Sequence, residues 1–111
     1  MKPWKVIFTD AALADLDAIL ETTLESFGTA QLKRYATQVE SAIRELEETG
    51  NKALLLKARP DIRAGISSYP LARQGKASPH QFYLKIDTTP EEAAVIVLRV
   101  LHDSMDPAIH L

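Results

Sequence analysis

The sequence contains no cysteine, which excludes a disulfide framework and any thiolate metal site. It also lacks any apolar run near the roughly 20 residues that span a bilayer, and the start MKPWKVIFTD has no signal-peptide core. What is present is ordinary globular composition, with 46% hydrophobic and 25% charged residues. We therefore expect residues 1–111 to form a single soluble, cytoplasmic domain that does not associate with membranes.

Charge is distributed unevenly along the chain, although the formal net charge is only −2. Residues 1–50 hold five Lys or Arg against nine Asp or Glu, and residues 51–111 hold eight against six. Between Lys52 and Lys85 there are seven basic residues, and Asp61 is the single acid. Such a field can attract an acidic partner, but a solvated basic surface explains the same residues.

Two amphipathic helices are predicted between residues 9 and 50. Thr9 is placed to cap the first, Asp10 favours its positive end, and Gly28 supplies a stop before the second. The apolar positions of the two helices recur at three- and four-residue steps: Leu13, Leu16, Leu20, Leu24 and Phe27, then Leu32, Tyr35, Ala36, Val39, Ile43 and Leu46. Because the connection is so short, we expect the helices to lie antiparallel as a hairpin.

Four strands are predicted around this hairpin, at residues 4–8, 62–69, 80–87 and 93–102. The second contains Gly65, which suggests a bulge or a close backbone approach, and Pro70 ends it before the basic loop 71–79. The last, AAVIVLRVLH, is apolar on both faces and is typical of a covered central strand. The order β-α-α-β-β-β predicts an α+β fold, a helical hairpin packed on a mainly antiparallel four-stranded sheet.

The terminal stretch LHDSMDPAIHL raises the question of catalysis, because His102, Asp103 and Ser104 are adjacent. Neighbours on extended backbone point in alternating directions and do not form a hydrogen-bonded triad easily. The histidines at 80, 102 and 110 show no metal-ligand spacing. Asp106 followed by Pro107 instead predicts the start of a short helix, which Ile109 and Leu111 would pack against the body. We interpret the cluster as a corner between strand and helix.

The same stretch resembles the C-terminus of ParE toxins, in the RelE/ParE superfamily of type II toxin–antitoxin systems. There a strand reading roughly I-R-V-L-H leads into an S-M-D turn and a terminal H-L, as in residues 98–111 here. The resemblance continues through IRAG at 62–65, the HQFYLKI strand, and an AxxDLxxI helix pattern formed by Ala12, Asp15, Leu16 and Ile19. One departure is Ile66-Ser67-Ser68, where ParE relatives often carry basic residues.

This resemblance implies a bacterial toxin that inhibits DNA gyrase by binding and is neutralised, as a hetero-oligomer, by a ParD-like antitoxin. It implies no cofactor, no metal and no sequence-specific binding to nucleic acid. RelE-like relatives instead cleave messenger RNA on the ribosome, and that alternative stays open, as does an antitoxin-bound module without toxicity. A nuclease would draw its base and cations from Arg63, Arg73, Lys85, Arg99 and His102. However, Asp103 and Asp106 would repel a phosphate chain.

Two further sets of candidate residues follow. Target binding is expected at Arg99, His102, Ser104, Met105 and Asp106. Antitoxin binding is expected at Leu20, Leu24, Leu54, Leu55, Leu56 and Tyr69, because the sheet alone does not account for so much apolar surface. A structural interpretation of Arg99 also stays open, as a partly buried cation whose natural partner would be Asp103 or Asp106.

Overall fold

A computed structural model describes residues 4–72, 78–89 and 92–111, with the side chain of Glu92 outside that description. A long helical unit covers one face of a five-stranded sheet whose strand order is β1-β5-β4-β3-β2. The strands are β1 (Lys5–Phe8), β2 (Lys57–Ala58), β3 (Ser67–Pro70), β4 (His80–Thr89) and β5 (Glu92–His102). β1 pairs in parallel with β5, and the other pairings are antiparallel. The α+β class with a mainly antiparallel sheet is therefore confirmed.

The helical unit α1 (Asp10–Thr49) is interrupted at Gly28, whose backbone has φ 84° and ψ −177°. A straight helix of 40 residues would be about 60 Å long, whereas the longest extent of the molecule is 43 Å. The chain therefore folds back at Gly28, and near the end of α1 the carbonyl of Glu47 accepts a hydrogen bond from Trp4 N. Two helical segments joined at a glycine, as the sequence predicts, are what the structure contains.

The hairpin is tied to the sheet at both of its ends. Thr9 caps α1 by accepting a hydrogen bond from Ala12 N at 3.1 Å, while its hydroxyl donates to Leu98 O at 2.8 Å. At the other end Gly50 lies against the ring of Trp4, so close that a Cβ at this position would lie 2.0 Å from a ring carbon. Glycine is therefore required at position 50 by the contact as well as by its φ of 51°.

A β-bulge in β5 decides which of its side chains enter the core. Tyr83 pairs with Arg99 but Leu84 pairs with Val97, so Leu98 is an extra residue on β5. Val95 and Val97 are buried beneath α1, and after the bulge Val100 joins them. Leu101 is buried in a second, smaller cluster with Ile66 and Tyr83. Both faces of β5 are thus covered, as the apolar run predicts.

Three predictions about the middle of the chain are corrected. The sheet has five strands instead of four, because Lys57–Ala58 pairs with β3 in a segment predicted as a loop. β3 begins at Ser67, since residues 62–66 form turns, and it includes Pro70. Gly65 has φ 83° in one of these turns with no atom within 4 Å of a Cβ, so it marks neither a bulge nor a close approach.

Candidate functional site

The C-terminal end of β5 is joined to the helical hairpin by an ion pair. Arg99 donates from Nε to Asp15 Oδ2 at 2.7 Å and from Nη2 to Asp15 Oδ1 at 2.8 Å. The same carboxylate accepts Val100 N at 3.0 Å. The prediction that Asp103 or Asp106 pairs with Arg99 is therefore wrong. The partner comes from α1, which crosses β5 at this point and brings its carboxylate within reach.

This pair is partly withdrawn from solvent, with side-chain exposures of 15% for Asp15 and 26% for Arg99. Burial by itself raises the pKa of Asp15, but the hydrogen bonds from Arg99 and Val100 N and the positive charge of Arg99 outweigh it and hold that pKa below 3.8. The hydrogen bond to Asp15 likewise raises the pKa of Arg99 against the opposing effect of burial. Both groups are therefore charged at neutral pH, and each charge is matched by the other.

The chain after β5 makes a corner and then a single helical turn, α2 (Pro107–His110). Asp106 caps α2 by accepting a hydrogen bond from Ala108 N at 3.0 Å, with Pro107 at the first helical position. The predicted strand-to-helix corner is therefore confirmed. Two arginines donate to carbonyls at the end of this segment, Arg99 Nη1 to His110 O at 3.0 Å and Arg63 Nη1 to Leu111 O at 3.2 Å.

The corner after β5 fixes the orientation of the His102 ring. Its Nδ1 accepts a hydrogen bond from Ser104 N at 3.0 Å and lies 2.8 Å from the Ser104 hydroxyl. A ring nitrogen that accepts a backbone N–H carries no proton, so this geometry fits the neutral imidazole protonated at Nε2. Asp103 points elsewhere and accepts from Gln81 Nε2 at 3.2 Å. These three consecutive residues do not form a catalytic relay.

A column of aromatic rings runs from His102 into the protein. The rings of His80 and His102 meet edge to face with centroids 5.3 Å apart, and His80 meets Tyr35 in the same way at 5.6 Å. Burial lowers the pKa of His80 below 6.5, the neighbouring His102 lowers it further, and Asp103 opposes both. Burial also raises the pKa of Tyr35 above its usual value. Burial therefore favours the uncharged forms of His80 and Tyr35.

A cleft of about 150 Å³ opens between α1, the end of β5 and the residues that follow β5, 103–111. It brings together residues from four parts of the chain: Asp15, Ala18, Ile19, His80, Arg99, Val100, Leu101, His102, Met105 and His110. All three histidines line it, yet within residues 4–72, 78–89 and 92–111 no three His, Cys, Asp or Glu are placed to hold a metal ion. The cleft is the place where the terminal motif meets the helical hairpin.

The structure separates the sequence-predicted nuclease candidates from one another. Arg99 and His102 line the terminal cleft, whereas Arg63 is exposed and donates to Leu111 O. Lys85 lines a different, open depression at the other end of the β4–β5 hairpin, with Asp87 and Ile96. Arg73 lies outside the described residues. Among the described candidates, the cation that lines the same cleft as His102 is thus Arg99, which is paired with Asp15.

The target-binding candidates lie together, because all five belong to the end of β5 and the corner that follows it. Met105 is 44% exposed, and Ser104 and Asp106 are also exposed. Ile109 is 77% exposed, so its predicted packing against the body is wrong. The predicted packing of Leu111 is confirmed, because it lies against the second core cluster. Sequence reasoning therefore missed Ile109 as a surface residue.

The antitoxin-binding candidates occupy three different environments. Leu24 is 45% exposed near the tip of the hairpin, next to Phe27 at 72%. Leu54 at 99% and Leu55 at 44% lie past the base of the hairpin, about 30 Å along the second helical segment from its tip. Leu20 and Leu56 are half-buried against the core. Tyr69 is fully buried, its hydroxyl donating to Glu45, and offers no surface to a partner.

Phe27 is a second surface residue that sequence reasoning missed. Its spacing places it on the apolar stripe of the first helix, but the stripe extends beyond the sheet that covers it. Leu13, at 47% exposed, is likewise uncovered. The sequence offered one signal for this exposure: the apolar stripe of the first helix is longer than the predicted strands that could cover it.

No helix among the described residues has the combination of length and apolarity that crossing a membrane requires.

Comparison with known proteins agrees with this geometry. The family model described as ParE toxin of type II toxin-antitoxin system, parDE, matches residues 6–107. A solved structure of the chromosomal ParDE toxin–antitoxin system from P. aeruginosa is 19% identical, with a TM-score of 0.67 over 90% of this chain and 96% of that one. A YoeB/ParE toxin from Agrobacterium tumefaciens is 18% identical, with a TM-score of 0.55 over 88% and 97%. Curated protein sequences give no significant match.

Proposed function

Since the chain belongs to the ParE toxin family of type II toxin–antitoxin systems, we propose that it inhibits DNA gyrase by binding, without catalysing a reaction. This proposal rests on the hydrogen bonds and the ion pair of Arg99. Its guanidinium makes two hydrogen bonds to Asp15 and a third to His110 O, so its charge is neutralised and three of its five N–H donors are used. A ribonuclease needs free cations beside its base to stabilise the developing phosphorane charge.

The state of His102 supports the same choice. One ring nitrogen is occupied by Ser104 N, and the residues that follow, Asp103 and Asp106, bring negative charge to the approach of an RNA backbone. Binding to a protein target requires neither a free catalytic base nor a cation for phosphate. The exposed apolar side chains of Met105 and Ile109, beside polar Ser104 and Asp106, have the mixed character of a protein-binding surface. We call residues 103–111 the terminal segment and assign target binding to it.

A ParD-like antitoxin would occupy the helical hairpin. The exposed apolar residues at the tip, Leu24 and Phe27, and past the base, Leu54 and Leu55, lie too far apart for one compact docking site. An extended antitoxin segment running along the second helical segment would cover both groups, as a helix or strand laid along an apolar surface. Toxin and antitoxin would then form a hetero-oligomer in the bacterial cytoplasm.

The experiment that tests the target is induction of the chain alone in bacteria, with two readouts taken from the same culture. We expect a DNA-damage response and loss of plasmid negative supercoiling, with messenger RNA left intact. An induced stop-codon version of the gene is the matched control. Rapid codon-dependent cleavage of messenger RNA before any DNA damage would contradict the proposal and would establish the RelE-like nuclease in its place.

A further inference from the structure

Asp15 joins the helical hairpin to the end of β5, next to the terminal segment, although it lies 84 positions before Arg99. Its carboxylate accepts three hydrogen bonds, two from the guanidinium and one from Val100 N. The two parallel bonds fix the plane of the guanidinium, since a bidentate pair constrains orientation as well as distance. In that orientation Arg99 Nη1 points at His110 O, 3.0 Å away.

The helix α2 depends on such outside support. It has four residues, none of them buried, and a single helical turn is not stable by itself in water. At its N-terminal end Asp106 accepts a hydrogen bond from a backbone N–H of the helix. At its C-terminal end Arg99 and Arg63 donate to the carbonyls of the last two residues of the chain. Of these two arginines, Arg99 is itself held by a carboxylate, whereas the Arg63 side chain is exposed. An unheld arginine side chain would spread over many rotamers.

We propose that Asp15 is a positioning residue for the terminal segment: it orients Arg99, and Arg99 holds α2 so that Ile109 and Met105 are presented to the target. Its link to toxicity rests on the proposed function, whereas its effect on the terminal segment does not. Asp15 touches neither the target surface nor the apolar tip of the hairpin. We assign its effect on binding to its two hydrogen bonds with Arg99.

The test compares three substitutions in the full chain, Asp15→Asn, Arg63→Gln and, as matched control, the exposed Asp17→Asn on the same helix. Backbone order parameters from nuclear magnetic resonance are measured for residues 107–110 and for β4 and β5. In the unchanged protein we expect about 0.85 throughout, the value of rigid backbone. In Asp15→Asn we expect residues 107–110 to fall below about 0.6, the range of flexible backbone, while both strands keep their values.

Arg63→Gln removes an exposed contact that the core does not need, and we expect a smaller fall in the same four residues. Asp17→Asn should match the unchanged protein. Rigid residues 107–110 in a folded Asp15→Asn protein would overturn the proposal. Order lost equally in β4, β5 and α2 would also overturn it, because Asp15 would then act on the whole fold.

The functional consequence is measured on the same proteins as inhibition of purified gyrase and as affinity for the antitoxin. Asp15→Asn should lose about tenfold in gyrase inhibition, the effect of freeing an ordered binding element, with antitoxin affinity unchanged. A freed terminal segment with full gyrase inhibition would overturn the link between this segment and the target. If the unchanged protein does not inhibit gyrase, the proposed function fails, and the order parameters still decide the role of Asp15.

Discussion

Asp15 and Arg99 show how one ion pair can be both a structural and a functional feature. Burial disfavours the charge of Asp15, yet three hydrogen bonds reverse the balance and its pKa falls below 3.8. An exposed pair gives little stability, whereas this one is largely shielded and has bidentate geometry. The pair therefore contributes to folding at neutral pH while it also fixes where the terminal segment lies.

The lowered pKa of Asp15 predicts a specific pH dependence of stability. Because the folded pKa lies below the ordinary 3.8, the carboxylate stabilises the fold fully above that value and loses its effect as pH falls through the folded pKa. Asp15→Asn should therefore lower the free energy of unfolding by about 1.5–3 kcal/mol at pH 7, the range for hydrogen bonds to charged groups. The difference from the unchanged protein should shrink as pH falls below 3.8.

Urea denaturation of both proteins between pH 7 and pH 3 measures this difference. Asp61→Asn is the control, because Arg59 also lowers the pKa of Asp61 but that side chain is 62% exposed. The control should follow the unchanged protein closely at every pH. A difference for Asp15→Asn that stays constant across the range would show that charge is not its source.

Residue by residue, the sequence predicted what depends on neighbours in the chain. Thr9 and Asp106 cap helices as expected, and Gly28 interrupts the hairpin, because caps and breaks are local properties. It could not predict that Arg99 pairs with Asp15, which depends on how α1 crosses β5. Nor could it predict the bulge at Leu98, which puts Val100 on the buried face with Val97.

At the scale of elements, two of the exposed apolar surfaces on the described residues belong to different parts of the fold. One belongs to the hairpin tip, where the first helical segment extends past the sheet and leaves Phe27 72% exposed. The other belongs to the terminal segment, where Leu111 packs on the core and leaves Ile109 77% exposed. Exposed aromatic and branched side chains of this size mark binding surfaces when they cluster with others. Each surface has one dominant side chain, so the two can be tested against each other.

The two surfaces predict opposite effects for two matched substitutions. Phe27→Ser should lower antitoxin affinity by about tenfold, as expected for the loss of a central aromatic contact, and leave gyrase inhibition unchanged. Ile109→Ser should weaken gyrase inhibition and leave antitoxin affinity unchanged. Calorimetric titration with the antitoxin and a supercoiling assay measure the two effects. Because both side chains are largely exposed, both variants should unfold at nearly the same temperature as the unchanged protein.

A different pattern would contradict this division. If Phe27→Ser and Ile109→Ser each weaken both interactions, the antitoxin and the target share one surface. If neither changes antitoxin affinity, the antitoxin does not use the hairpin tip, and Leu54 past the base becomes the residue to substitute next. Its side chain is 99% exposed and its replacement costs the core nothing.

Seen as a whole molecule, the fold class followed from hydrophobic periodicity, but the strand count did not. The long elements, α1, β4 and β5, have clear periods and were predicted within a few residues. β2 has only two residues, both exposed, so no alternation marks it, and it forms because residues 57–58 can pair with β3. The candidate site divides in the same way. Its target-binding candidates are close neighbours in the sequence and could be named from it, whereas the contact between Asp15 of α1 and Arg99 of β5 joins residues 84 positions apart and could not.

We propose that this toxin acts by binding gyrase through the terminal segment and that His102 is not a catalytic base. The most direct measurement is DNA supercoiling by purified gyrase with the unchanged protein, with His102→Ala and with a chain shortened by residues 104–111. We expect inhibition and accumulated cleaved DNA with the unchanged protein, most of that inhibition with His102→Ala, and little with the shortened chain. Loss of a general base would instead cost about 10²–10⁴ in rate. Gyrase that is unaffected by the unchanged protein, or inhibition abolished by His102→Ala in a folded protein, would contradict the claim.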